Sequence, residues 1–209
     1  MRSGPVPLKI LVLVSGGGTN LQALIDAQAR GELGAGKIAA VLSDRVGVYA
    51  LERAGAAGIA AITEEPDRRL PKSERRRALS DRILCICREM QIGLIVFSGF
   101  LSIMTGGLIA EYSGRMINIH PALLPRYGGP GMYGINVHRA VLASGETESG
   151  CTIHLVDGGT DTGQILLQRK VPVLPEDTPE LLAERVLAQE HIAIVEGTMM
   201  MIKKIGTPA

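Results

Sequence analysis

Apolar residues along the chain fall into short, unbroken runs separated by longer stretches with helical spacing. "KILVLVS" (9–15), "IAAVLSD" (38–44), "IAAIT" (59–63), "IGLIVFSG" (92–99) and the "MINIHP" segment from 116 are each only a few residues long. Runs of that length, bounded by glycine or polar residues, predict strands. Their continuous rather than alternating apolar character predicts parallel pairing covered on both faces. Between them lie a helix from about Asn20, a helix through "YALERAGAAG" with glycine as its stop signal, and a long amphipathic helix in "SERRRALSDRILCICREM". After Gly150 the pattern changes. "GCTIHLVD" and "GQILLQRKVPV" predict two strands joined by a short Gly/Asp loop and added antiparallel. A final helix runs through "TPELLAERVLAQEHIAIVEGTMMMIKK", with Thr178 as N-cap, Pro179 in the first position and Glu180 in the first turn. Strands alternating with helices define an α/β architecture: a mostly parallel sheet, antiparallel C-terminal strands and helices on both faces. With no linker, low-complexity segment or internal repeat, residues 1–209 are expected to form one domain.

Composition narrows the function more than the fold. The 209 residues are 46% hydrophobic and 21% charged, as in an ordinary soluble protein. A net charge of +1 gives no electrostatic case for nucleic acid or an anionic membrane as partner. The apolar run Ile10 to Val14 is far too short to span a bilayer and lacks the features of a secretion signal. Cys85, Cys87 and Cys151 are odd in number and have no metal-type spacing, so buried free thiols in a reducing cytoplasm are expected. With no Trp and 3% aromatics, a base-stacking surface is not expected.

Three stretches carry candidate chemistry. "SGGGTN" (15–20) joins the first strand to its helix, where glycines bring backbone N–H groups close to an anion and the helix dipole favours it. No Gly-Lys-Ser/Thr follows, so it is not a Walker loop. As a dinucleotide fingerprint it is incomplete: Leu21 stands where the third glycine belongs, although Asp44 ends the second strand where a ribose-binding acid would sit. Phosphate binding and a plain tight turn both fit. In "INIHPALLP" (117–125), Asn118 and His120 share one strand face, before Pro121 and Pro125. They fit either a satisfied corner of the core or a place where an imidazole moves a proton and an amide donates to an oxyanion. In "HLVDGGTDTGQILLQ" (154–168), Asp157 and Asp161 lie in a glycine-rich loop, as turn formers or as a carboxylate reaching His120. His154, His138 and His191 read as a strand residue, a helix-surface residue and a final-helix residue. No cluster has metal-ligand spacing, so no metal is expected.

Taken together, "VSGGGTNLQALIDA", "VLSDRVGVYALERAGAAGI", "FSGFLSIM", "INIHPALLP", "GCTIHLVDGGTDTGQILLQRKVPV" and "QEHIAI" occur in an order that resembles the phosphoribosylglycinamide formyltransferase family of purine biosynthesis. The resemblance covers nearly the whole chain. It implies a Rossmann-like formyltransferase fold, with a nucleotide- and phosphate-binding half over about 8–100 and a catalytic and folate-binding half over about 101–209. It implies 10-formyltetrahydrofolate as the formyl-donor co-substrate and the amine of glycinamide ribonucleotide as acceptor. Asn118, His120 and Asp161 match the family's catalytic residues, and Gly18, Thr19 and Asn20 its phosphate loop. Arg76, the segment Leu101, Ser102, Ile103 and Met104, and Val156 with Asp157 match the folate side. Two departures stand out. "YGGPGMYGINVH" is longer than the short link common in the family, with Gly128, Gly129, Gly131 and Gly134. "DGGTDTGQ" lacks a second acid just before Asp161, and its "TDTG" is closer to the form in methionyl-tRNA formyltransferase.

The implied reaction needs an oxyanion to be stabilised, with His120 protonated beside Asp161 and Asn118 donating a second hydrogen bond. Competing readings are a methionyl-tRNA formyltransferase, which normally carries a further C-terminal domain, and a formyltetrahydrofolate deformylase, which normally carries an N-terminal one. A non-catalytic nucleotide-binding module would use the glycine loop alone. The expected setting is the cytoplasm, as a monomer or homodimer.

Overall fold

The expected strands and helices assemble around one seven-stranded sheet in a computed structural model that describes residues 6–206. In chain order the elements are β1 (Leu8–Val14), α1 (Thr19–Ala29), β2 (Gly36–Ser43), α2 (Tyr49–Ala56), β3 (Ala60–Thr63), α3 (Lys72–Met90) and β4 (Leu94–Phe97). There follow α4 (Gly107–Glu111), β5 (Met116–His120), α5 (Ile135–Ala143), β6 (Glu148–Leu155), β7 (Ile165–Pro172) and α6 (Pro179–Gly206). The strand order is β3-β2-β1-β4-β5-β6-β7. Strands β1 to β5 pair in parallel, while β6 runs antiparallel to both β5 and β7.

The unbroken apolar runs have a direct cause. Ile10, Val12 and Val14 of β1 face a layer that includes α1, α2 and α6, while Leu11 and Leu13 face α3 and α4. All five are fully buried, so none of these positions is left for a polar residue. Helix α6 closes the first layer with Leu182, Val186, Ala193, Ile194 and Met201. Its start follows the expected cap, with Leu181 N–H donating to Thr178 Oγ1 at 3.3 Å. The short helix α4 carries only one buried residue, Leu108, too few for a periodic signal in the sequence.

Chain direction reverses across the sheet between β1 and β4, and open α/β sheets bind ligands in the crevice outside such a switch point. The connections leaving β1 and β4 meet there, where the Leu101 N–H donates to Ser15 Oγ at 2.8 Å. Asp44, at the end of β2, is buried and accepts a hydrogen bond from Ser102 Oγ at 2.6 Å. It therefore braces the segment after β4 instead of standing free for a ribose. Of the cysteines, Cys87 and Cys151 are buried, with thiols pushed up to about 12 chiefly by burial, whereas Cys85 is exposed. That corrects the expectation for Cys85: two positions apart on a helix, it and Cys87 point in different directions. Among the described residues no helix is long and apolar enough to cross a membrane, and no group of three or more His, Cys, Asp or Glu is placed to hold a metal ion.

Candidate active site

Asn118 and His120 occupy alternate positions of β5, so both leave the sheet on the same side, at its carboxyl end. The antiparallel partner β6 places His154 directly opposite Asn118. Side chains of directly opposed residues meet, and here the Asn118 amide Nδ2 lies 3.0 Å from His154 Nε2. An amide nitrogen only donates, so Nε2 accepts, and the remaining ring proton sits on Nδ1, which donates to the Leu155 carbonyl at 2.9 Å. Both bonds require a neutral imidazole. Burial agrees, because it is the largest effect on His154 and lowers its pKa.

Asp161 stands between the two histidines. One carboxylate oxygen is 3.6 Å from His120 Nδ1 and the other 3.6 Å from His154 Nε2. The residue has a left-handed backbone, φ 59°, in the loop between β6 and β7. The same loop is held by Asp157, whose Oδ1 accepts from the Gly159 N–H at 2.9 Å and the Thr162 hydroxyl at 2.7 Å. Asp157 is thus a turn former that also lines the site.

The long glycine-rich link after β5 grips this group from the other side. His120 Nε2 donates to the Tyr127 carbonyl at 2.7 Å, and the Gly129 N–H donates to Asp161 Oδ2 at 3.0 Å. With Nε2–H committed to a carbonyl, Nδ1 is the nitrogen left facing the carboxylate, and a proton there completes an imidazolium beside Asp161. Gly128 has no room for a side chain: a Cβ there would lie 2.6 Å from Leu124 Cδ2 and 3.2 Å from Asp161 Cβ. The turn beneath is fastened by Thr152, which donates to Ala122 O at 2.6 Å and accepts from Leu124 N–H at 3.0 Å.

These groups open onto a cavity of about 630 Å³. Its wall includes Asn118, His120, Asp161, Arg76, Leu101, Ser102, Ile103, Met104, Val156 and Asp157, so every residue expected on the catalytic and folate sides reaches one space. The phosphate-loop trio divides. Asn20 lines the cavity, Thr19 lines a neighbouring depression with Gln22 and Arg53, and Gly18 packs on α2. At Gly18, φ is 72° and a Cβ would lie 2.6 Å from Ala50 Cβ, so the fold itself needs glycine there. The Asn20 side chain is committed elsewhere: Nδ2 donates to Glu190 Oε2 at 2.6 Å. Any anion contact by this loop therefore falls to the backbone N–H groups of α1, whose first turn has no side-chain cap.

Three residues of the site carry more than the sequence suggested. Glu190, in α6, is buried against the cavity, and burial raises its pKa against the opposing effect of Asn20. Its signal was a carboxylate on the buried stripe Leu182, Val186, Glu190, Ala193, Ile194. His154 was readable as a strand residue, but its contact with Asn118 depends on strand register. His138 was expected on a helix surface, yet it is 4% exposed and lines the cavity from α5.

An α/β sheet with ligand-binding loops at its switch point, and an Asn/His/Asp group beside them, is the arrangement of a small-molecule group-transfer enzyme. The formyl transferase family pattern matches residues 8–198, and the chain belongs to that family. It is 37% identical over 185 residues to phosphoribosylglycinamide formyltransferase of Escherichia coli, covering 88% of this chain and 82% of that one. It is 40% identical over 190 residues to the trifunctional purine biosynthetic protein adenosine-3 of Drosophila pseudoobscura pseudoobscura, covering 88% of this chain but 13% of that much longer protein. The crystal structure of glycinamide ribonucleotide transformylase 1 from Symbiobacterium toebii superposes with a TM-score of 0.86 at 35% identity, over 98% of this chain and 92% of that one.

Proposed function

We propose that this chain transfers a formyl group from 10-formyltetrahydrofolate to the amine of 5'-phosphoribosylglycinamide. The observation that carries the proposal is the convergence of Asn118, His120 and Asp161 on the cavity that Arg76 and the 101–104 segment also line. The Arg76 guanidinium suits the carboxylates of a folate, and the stretch of half-buried Ser102 and Ile103 with buried Met104 suits its rings. The backbone N–H groups at the start of α1 suit the acceptor's phosphate. Asn20 and Glu190 lie on the acceptor side, with a buried carboxylate to accept hydrogen bonds from hydroxyls.

The acceptor amine, with a pKa near 8, is about one-tenth unprotonated at pH 7, enough to react, so the main barrier is the charge that grows on the formyl oxygen. Asn118 donates its second amide proton to that oxygen and His120 its Nδ1–H, the Nε2–H being held by Tyr127, while Asp161, 3.6 Å from Nδ1, holds the imidazolium. His154 fixes the amide of Asn118 by accepting one of its protons. Such preorganised donors are each worth about 10²–10³ in turnover. His120 then supplies a proton to the departing folate nitrogen. The buried thiols of Cys87 and Cys151 suit a reducing cytoplasm.

The test is release of tetrahydrofolate from 10-formyltetrahydrofolate, with and without glycinamide ribonucleotide. Release that depends on the amine supports the transferase. Release without it points to hydrolysis, and binding without release to a passive module.

A further inference from the structure

His138 is unlike the other histidines of the cavity. His120 and His154 have their ring nitrogens engaged by Tyr127, Asp161, Asn118 and Leu155. His138 sits in the first half of α5 with its Nδ1 buried and without a partner, and no hydrogen bond is made by the rest of its ring. Its Nε2 makes no hydrogen bond yet is not fully buried, so this is the ring nitrogen that an occupant of the cavity can reach. Nothing in the fold requires an imidazole there: the inward positions beside it on α5, Val137 and Val141, are apolar.

Resting on the formyl-transfer reading above, we propose that His138 is a catalytic residue, the proton acceptor for the amine that attacks the formyl carbon. The amine lone pair forms the new C–N bond while the C=O π pair moves onto oxygen, held by Asn118 and His120. One N–H proton of the nitrogen, now cationic, passes to the free lone pair on His138 Nε2, with the ring's own proton on the buried Nδ1. As the adduct collapses, the oxygen pair re-forms C=O and the bond to the folate nitrogen breaks, leaving its electrons on that nitrogen, which takes a proton from His120. His138 then gives its proton to solvent and His120 regains one, so no net proton is consumed.

The surroundings suit that task. Burial, aided by the positive charge of nearby His120, lowers the pKa of His138 and keeps it neutral. The cavity's other titratable groups are Lys72 and Arg76 on α3, Tyr133 before α5, His154 on β6, Asp157 and Asp161 in the loop after it, and Glu184 and Glu190 on α6. Arg139, the charged neighbour on α5 itself, is exposed. His120 and His138 thus divide the work: one is held beside a carboxylate and donates, the other has no carboxylate bound to it and accepts.

His138→Gln and His138→Asn keep a neutral hydrogen-bonding group and remove the base. The assay is amine-dependent tetrahydrofolate release across pH. A wild-type chain that releases none would remove the formyl-transfer reading itself, and His138's role with it. With an active wild type, the variants are expected to lose about 10²–10⁴ in kcat, to keep both KM values within about threefold, and to lose the steeper part of the acid limb that lies below the amine's own titration. A kcat within about threefold of wild type, or a loss confined to KM and melting temperature with the acid limb intact, would overturn the proposal. If neither variant folds, proton NMR of the wild-type His138 ring decides. Titration below the ordinary histidine value and in step with the acid limb is expected, and titration unlinked to that limb refutes it.

Discussion

The glycine-rich turn after β1 and the glycine-rich link before α5 look alike in sequence, but only the link's glycines line the cavity. They differ in what their backbones hold. In the first, the Gly16 carbonyl accepts from the Ala50 N–H at 3.2 Å, the Gly17 carbonyl accepts from Arg53 Nε at 2.9 Å, and Gly18 lies hard against Ala50. Its carbonyls are used up in joining α1 to α2, which leaves N–H groups for an anion. In the second, the Tyr127 carbonyl and the Gly129 N–H reach the two residues expected to do chemistry, His120 and Asp161. One turn packs helices together and, on the function proposed above, leaves its N–H groups for the acceptor's phosphate. The other positions reactive side chains by gripping them. Glycine serves both, in each case because a Cβ would strike the group to be approached.

The comparison can be broken, or sharpened, by substitution. His120→Ala sets the upper bound, with an expected loss of about 10²–10³ or more in amine-dependent tetrahydrofolate release and little change in melting temperature. Gly128→Ala should act on the same step more weakly. Moving Asp161 by a few tenths of an ångström is expected to lower kcat about tenfold while stability changes little, a split seen by comparing kinetics with thermal melting. Gly18→Ala should do the reverse, losing about 2 kcal/mol of stability to a left-handed backbone and overpacking against Ala50, with kcat per folded molecule retained. Should Gly128→Ala prove purely destabilising, or Gly18→Ala purely catalytic, the division between the two segments fails.

Two smaller effects test the ground around them. The pKa of Glu190 is raised in the folded chain, so its contribution to stability is fully present below the unfolded value near 4.5 and is lost as pH rises through the folded one. Glu190→Gln should therefore melt higher than wild type near neutral pH, the difference vanishing toward pH 4, as a melting series across pH would record. Thr178→Ala, far from both glycine segments, should cost about 0.5–1 kcal/mol through the lost cap on α6 and leave turnover unchanged.

Much of the site was legible because its residues are close in sequence or tied to strand periodicity. Asn118 and His120 two apart on a strand must share a face, and a strand's carboxyl end in an α/β sheet is where ligands bind. His138 and Glu190 were harder to place, because helix periodicity says which residues point inward but not whether the space they meet is core or cavity. His154 needed the antiparallel register that sets it opposite Asn118.

The amino-acid sequence by itself determined the order of the strands and of the helices other than the short α4, the parallel character of the first five strands and the change after Gly150. Burial on both faces, helix period and capping are written in local residue choices, and these suffice for that much. Only the tertiary structure decided that the long link at 128–134 folds back over His120 and Asp161, that Asn20 is bound to Glu190, and that His138 faces the cavity unpaired. Those outcomes depend on backbone atoms and side chains far apart in sequence coming within about 3 Å of one another, and no local pattern records a hydrogen bond made at that distance.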